Sequence, residues 1–154
     1  MKKILIHSLT FPPDTISTGM IVSEIADGLN KELNNIEVLA SSPQYNLKSA
    51  REFNQNDKNV SVGMFKGIKV NFIESHPRQF SNSSRFFQWL GFNFKAIRFI
   101  YKNRKEYKEI LIFSYPPTMN LVCIFTSKIL KINTIYSLWE LYPEIAEKLH
   151  EQPN

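Results

Sequence analysis

Met20-Ile-Val-Ser-Glu-Ile-Ala-Asp-Gly-Leu-Asn-Lys-Glu-Leu-Asn34 stands between two short apolar runs, Ile4-Leu-Ile-His-Ser-Leu9 and Ile36-Glu-Val-Leu-Ala40. Ile21, Ile25, Leu29 and Leu33 recur every four residues, with Val22 and Ala26 beside them, and make one apolar stripe along a helix. The flanking runs have the length of buried strands. Strand, helix and strand within about forty residues form a βαβ unit. Thr18-Gly19 opens the helix and Asn34-Asn35 closes it. His7 lies inside the first run, as a packing histidine or a catalytic one.

Working outward, Phe11-Pro-Pro-Asp-Thr-Ile-Ser-Thr-Gly19 is a loop, because two prolines bar regular structure. Ser41 to Asn46 is a polar loop past the second strand, and Leu47 to Asn59, polar and without a strong period, reads as a mobile loop. Val60 to Phe65 and Ile68 to Ile73 alternate across Lys66-Gly67, which predicts a hairpin whose second run can join the main sheet. After the loop from His76, with Ser83 or Ser84 as cap, a helix is expected over Arg85 to about Tyr107. Ile110 to Phe113 is a strand, and Met119 to Leu130 is a helix apolar on most sides, hence expected to be largely buried. Thr134 to Ser137 is a further strand, and a last helix starts near Pro143 and runs to about His150. The order is that of an α/β chain, a Rossmann-like three-layer sandwich with a mostly parallel sheet.

The 154 residues fit a single domain, 1–154. At 43% hydrophobic and 21% charged, the composition is globular and argues against disorder. The single Cys123 cannot form an internal disulfide, and it suits a reducing compartment. The start Met1-Lys-Lys-Ile-Leu-Ile6 lacks the apolar length of a signal peptide, and no run reaches the ~18 apolar residues of a membrane span. No metal-ligand spacing, Gly-x-Gly-x-x-Gly or Walker pattern stands out.

The net charge of +5 suits an anionic partner, and it concentrates in one place. Ser83 to Lys108 holds seven basic residues against the single acid Glu106, together with eight aromatics. A helical wheel puts Phe86, Phe87, Leu90, Phe94, Ile97 and Tyr101 on one arc, expected to face the core. Lys95, Arg98 and Lys102 lie opposite, with Phe92 and Phe99 outside the core arc beside them. A basic face bordered by exposed aromatics is what an interfacial helix shows, so Phe92, Lys95, Arg98, Phe99 and Lys102 are candidates for contact with an anionic membrane surface. A solvated face with both Phe under loops is the plainer alternative. Nucleic acid is the least favoured partner and is not expected.

Ligands of parallel α/β sheets bind beyond the carboxyl ends of the strands. Three stretches fall there. Gly19 opens a helix whose dipole favours an anion, although a tight strand-to-helix turn would equally need a small residue. Ser114-Tyr-Pro-Pro-Thr118 follows the third strand of the parallel series. Thr134-Ile-Tyr-Ser-Leu-Trp-Glu-Leu-Tyr-Pro-Glu-Ile145 runs from a strand into Glu140 and Glu144, either site carboxylates or acids favoured at a helix start.

Phe11-Pro-Pro-Asp14 with Thr18-Gly19, the helix leading to Ile36-Glu-Val-Leu39, Pro43-Gln44-Tyr45, Ser114-Tyr-Pro-Pro117 and Trp139-Glu-Leu-Tyr-Pro-Glu144 come in an order that covers nearly the whole chain. In this order they resemble the acceptor-side, N-terminal domain of retaining GT-B glycosyltransferases of the bacterial colanic-acid, O-antigen, lipopolysaccharide and capsule type. That resemblance implies one half of a GT-B architecture. The half would transfer a sugar from a nucleotide-sugar, as co-substrate, to a lipid-linked or polysaccharide acceptor, without a protein-bound metal or a cofactor of its own. It implies a peripheral place on the cytoplasmic face of the membrane. It also implies a donor-binding domain, which is not found within 1–154 and is expected as a partner, for instance on a separate chain. By position, Glu140 is the candidate base or orienting group, Gly19 and Thr18 meet the donor phosphates, and Tyr115, Thr118 and Glu144 line the acceptor side. The family has Gly-His where this chain has Asn35-Ile36, and Asp where this chain has Glu140. The longer side chain moves the carboxylate by about 1.5 Å, a scale to which catalysis is sensitive, so reduced or lost activity is expected. A non-catalytic membrane-surface or scaffolding module is the alternative function.

Overall fold

The structure, a computed structural model, describes residues 2–43, 60–74, 82–113 and 117–139, with the backbone alone for 82–86, 88 and 117–120. Within them the elements run β1 (Lys3–His7), α1 (Ser17–Leu33), β2 (Ile36–Ser41), β3 (Val60–Phe65), β4 (Ile68–Ile73), α2 (Asn82–Asn103), β5 (Tyr107–Phe113), α3 (Pro117–Ile129) and β6 (Asn133–Ser137). The expected mobile loop at 47–59 and the last helix at 143–150 lie outside the described residues.

One six-stranded sheet has the order β3-β4-β2-β1-β5-β6. All neighbours are parallel except β3 and β4. The winding reverses at β1, which lies between β2 and β5, so the switch point of the sheet is at the carboxyl ends of β1 and β5. Side chains alternate across the sheet. Ile4, Ile6, Val38, Ala40, Leu111 and Phe113 pack on one side with Val22 and Ala26 of α1. Leu5, Leu39, Ile110 and Ile112 pack on the other side with Phe92, Ala96 and Ile100 of α2 and Cys123 of α3. The chain is therefore an α/β protein with a Rossmann-like three-layer fold.

Local chemistry accounts for the joints. Asn34 ends α1 in the left-handed conformation, at φ 47°, and its N–H donates to Asn30 O at 2.8 Å. Lys66 and Gly67 have φ of 46° and 81°, the paired positive values of a two-residue hairpin turn. β4 then adds to β2 in parallel, as the sequence pattern allows. At the amino end of the sheet Glu37 is buried yet fully engaged, bonded by Lys3 at 2.8 Å, Asn71 at 2.7 Å and Lys69 at 3.0 Å. Burial works against its charge, but the three donors outweigh it and hold the carboxyl below its usual range.

The helices sit differently from the sequence expectation. α1 turns Gly19, Val22, Ser23 and Ala26 inward and leaves Ile21 and Leu33 exposed, so the stripe is rotated towards its smaller residues. α2 ends at Asn103, and Tyr107 already belongs to β5. The larger correction is the face of α2. Phe92 is 3% exposed and Phe99 is partly buried, both in the core cluster, whereas Phe94 is 71% and Phe87 70% exposed. Leu90 and Tyr101 also point outward. The helix is apolar on two arcs. The arc centred on Ala96 packs inward, because a small residue lets the helix axis approach the sheet while Phe92 and Ile100 fill either side. α3 is corrected likewise: Cys123 is buried, but Leu121, Phe125 and Ile129 stand in solvent.

Candidate functional site

The carboxyl end of β1 is tied to its neighbours by the backbone. Ser8 N–H donates to Leu39 O at 3.0 Å, Ser41 N–H to Leu9 O at 3.1 Å, and Ser42 N–H to Ile73 O at 2.7 Å. These bonds extend the β1, β2 and β4 pairing past the strand ends and make a firm floor. Two hydroxyls lock the loops further, Ser8 Oγ donating to Thr10 O and Ser41 Oγ to Ser42 O.

His7 is part of this floor. It is buried, its ring stacks on Phe92 with centroids 5.6 Å apart, and Nδ1 lies 3.4 Å from Leu39 O. Burial pushes its pKa down to about 4, so the ring is neutral at neutral pH. That is the packing histidine of the two sequence alternatives.

α1 begins against the loop that follows β1. A Cβ on Gly19 would lie 3.5 Å from each of Thr10 C, Phe11 N and Asp14 O, ordinary contact with the loop backbone. The helix start therefore packs closely on the loop, with room for a Cβ at this position. Ile16 at the N-cap supplies no side-chain cap, no acid stands in the first turn, and the first helical bond runs from Met20 N–H to Ile16 O. The N–H groups of Ser17, Thr18 and Gly19 therefore precede the helical ladder, at the positive end of the helix dipole. Thr18 is half-buried there.

The far side of the edge is built by β6. Trp139 packs on Phe113 with ring centroids 4.9 Å apart and donates from Nε1 to Ser137 Oγ at 3.0 Å. Phe113 shares its core cluster with Phe11, so the Phe11-Pro-Pro loop and the Trp139 end of β6 are joined through one apolar cluster. Tyr115, Glu140 and Glu144 lie outside the described residues, and for Thr118 only the backbone, in the first turn of α3, is described. Of the membrane candidates, Arg98 and Lys102 are exposed, whereas Lys95 Nζ is held by Glu74 O at 2.8 Å. Phe92 is buried in the core and Phe99 is half-buried against it, so the two do not form an exposed aromatic border.

Two features escape a reading of the residues alone. Thr10 is buried with Oγ1 lacking a hydrogen-bond partner among the described residues. A recess of about 270 Å³ lies beside Pro12 and Pro13, walled by Met64, Phe65 and Phe72 of the hairpin. Gly63 helps shape it, since a Cβ there would come within 3.1 Å of the Phe72 ring. The edge thus offers the first-turn amides of α1, the Thr10 hydroxyl and an apolar recess, groups that can hold an anion or a polyol. Among the described residues no three His, Cys, Asp or Glu side chains come together in a metal-binding group. Compared with known proteins, the chain matches no family model, and no curated protein matches it.

Proposed function

We propose that the chain is the acceptor-side half of a glycosyltransferase, which presents a lipid-linked or polysaccharide acceptor at the carboxyl edge of its sheet. A donor-binding half supplies the nucleotide-sugar. The observation that supports this most is the meeting of two distant motifs: Trp139 packs on Phe113, in the cluster that contains Phe11. The Phe11-Pro-Pro-Asp14 loop and the start of Trp139-Glu-Leu-Tyr-Pro-Glu144 therefore stand at one edge, where a doubly wound sheet takes ligands.

Sugar transfer needs an acceptor hydroxyl in line with the anomeric carbon, a group for its proton, and donors for the departing diphosphate. In this reading Glu140 is the base or orienting carboxylate, Thr18 and Gly19 offer N–H groups to the diphosphate, and Tyr115, Thr118 and Glu144 flank the acceptor. The reaction takes place on the cytoplasmic side, where nucleotide-sugars are made.

The test is transfer of labelled sugar from a nucleotide-sugar to a lipid-linked sugar, with the chain paired to a donor-binding half. Transfer is expected only from the pair, and Glu140→Ala should abolish it while acceptor binding persists. Binding of nucleotide-sugar by the chain alone, with no affinity for any sugar acceptor, would overturn the reading. A second reading, a non-catalytic module on a membrane surface, is favoured by the exposed apolar face of α2 and α3. It predicts no consequence from Glu140→Ala.

A further inference from the structure

We infer that the outer face of α2 and α3 docks on an anionic lipid bilayer. The two helices pack side by side on one face of the sheet, so their outward side chains share one surface. Phe87, Phe94 and Tyr101 from α2 and Leu121, Phe125 and Ile129 from α3 stand on it, between 56% and 78% exposed. An apolar surface built from six large side chains on adjoining helices marks an interaction site.

Charge selects the occupant. Residues 82–103 and 117–129 contain no Asp or Glu, but carry Arg85, Lys95, Arg98, Lys102 and Lys128. A second copy bound through this face would set like charges against each other, which disfavours a dimer. A bilayer accepts both features, taking Phe, Tyr and Ile into its interfacial layer and the cations among its phosphates. Between the helices a groove of about 330 Å³ is lined by Phe94, Tyr101 and Ile129, with Arg98 at its wall. It has room for part of an acyl chain with the guanidinium near the headgroup. The two helices lie on the surface: none among the described residues is long and apolar enough to cross a membrane. The inference does not rest on the glycosyltransferase reading, because it uses neither the strand ends nor Glu140.

The experiment is co-sedimentation of the chain with vesicles of phosphatidylcholine, with and without phosphatidylglycerol. Binding is expected to the anionic vesicles and should weaken with salt. Phe94→Ser with Phe125→Ser should lower the partition coefficient at least about tenfold. Arg98→Gln, Lys102→Gln and Lys128→Gln together should lower it on the order of a hundredfold on anionic vesicles only. Ile21→Ser, on α1, should change nothing. Circular dichroism checks that each variant is folded, and all the substituted side chains except Ile21 lie on the outer helical face in question. Absence of vesicle binding, or undiminished binding by the double serine variant, would overturn the inference. So would a dimer in sedimentation equilibrium that the double serine variant dissociates, since a second copy would then own the face.

Discussion

The sheet is covered on its two sides in opposite ways. On one side α1 is an ordinary surface helix, with small residues inward and three acids, Glu24, Asp27 and Glu32, among its seventeen positions. Its charges are used within the molecule: the buried Asp27 meets Lys66 at 3.0 Å and Lys31 at 3.1 Å, which ties the helix to the hairpin turn. On the other side α2 and α3 carry no acid and present aromatics to solvent. One side is closed by its own residues. The other is apolar on both faces, and only one of those faces is satisfied by the sheet.

The largest test of this contrast lies within a single helix. Phe92 and Phe94 are two residues apart, and the structure gives them opposite environments. Phe92→Ala should cost about 3–5 kcal/mol in stability, the usual penalty for emptying an aromatic site in a core. Phe94→Ala should stay within about 0.5 kcal/mol. Urea denaturation of both variants measures the difference, and the helical wheel alone predicts the reverse order.

His7 sharpens the same contrast through pH, because it lies under α2 against Phe92. Its folded pKa of about 4 is below the ordinary histidine value of 6.5. Between those values the unfolded chain binds more protons, so stability is complete above about pH 6.5 and declines as pH falls towards 4. The decline attributable to His7 should be on the order of 3 kcal/mol. Denaturation curves across this range, compared with those of a His7→Phe variant, should show the decline flattened in the variant.

The smallest effect belongs to the α1 side. Hydrogen bonds from Lys66 and then Lys31 hold the Asp27 carboxyl below its usual range. Its contribution is therefore present above the ordinary carboxylate pKa and lost on acidification below it. Asp27→Asn should lower the melting temperature slightly at low salt and less at high salt, because the lysine partners of this buried carboxylate are themselves exposed.

Chain order carries most of the topology. The hairpin is legible because Lys66-Gly67 supplies the two positive-φ positions that its turn requires. The βαβ unit is legible because Asn34 stops α1 just before Ile36-Glu-Val-Leu-Ala40. Which face of α2 turns inward is not legible, because periodicity marks apolar arcs without ranking them. Phe86 to Tyr101 is the more aromatic arc, yet the fit of Ala96 against the sheet decides for the other one. The burial of α3 is overestimated for a related reason: its thirteen residues are apolar on most sides, but the sheet covers only one side of the helix. At the candidate site, the place of Gly19 and of Trp139 at the carboxyl edge follows from strand order. The stacked His7 and the burial of Thr10, whose hydroxyl lacks a partner among the described residues, arise from tertiary packing, and no local motif announces them.

The central contrast is tested most directly by a single fluorescent probe placed in turn on each side. Cys123 is buried, and burial pushes its thiol up to about 12, so the native cysteine resists labelling. Phe125→Cys on α3 and Ile21→Cys on α1 each provide one exposed thiol for an environment-sensitive dye. On adding anionic vesicles, the emission at position 125 should shift to the blue and that at position 21 should not. A shift at position 21 alone, equal shifts at both, or no shift at either would contradict the account.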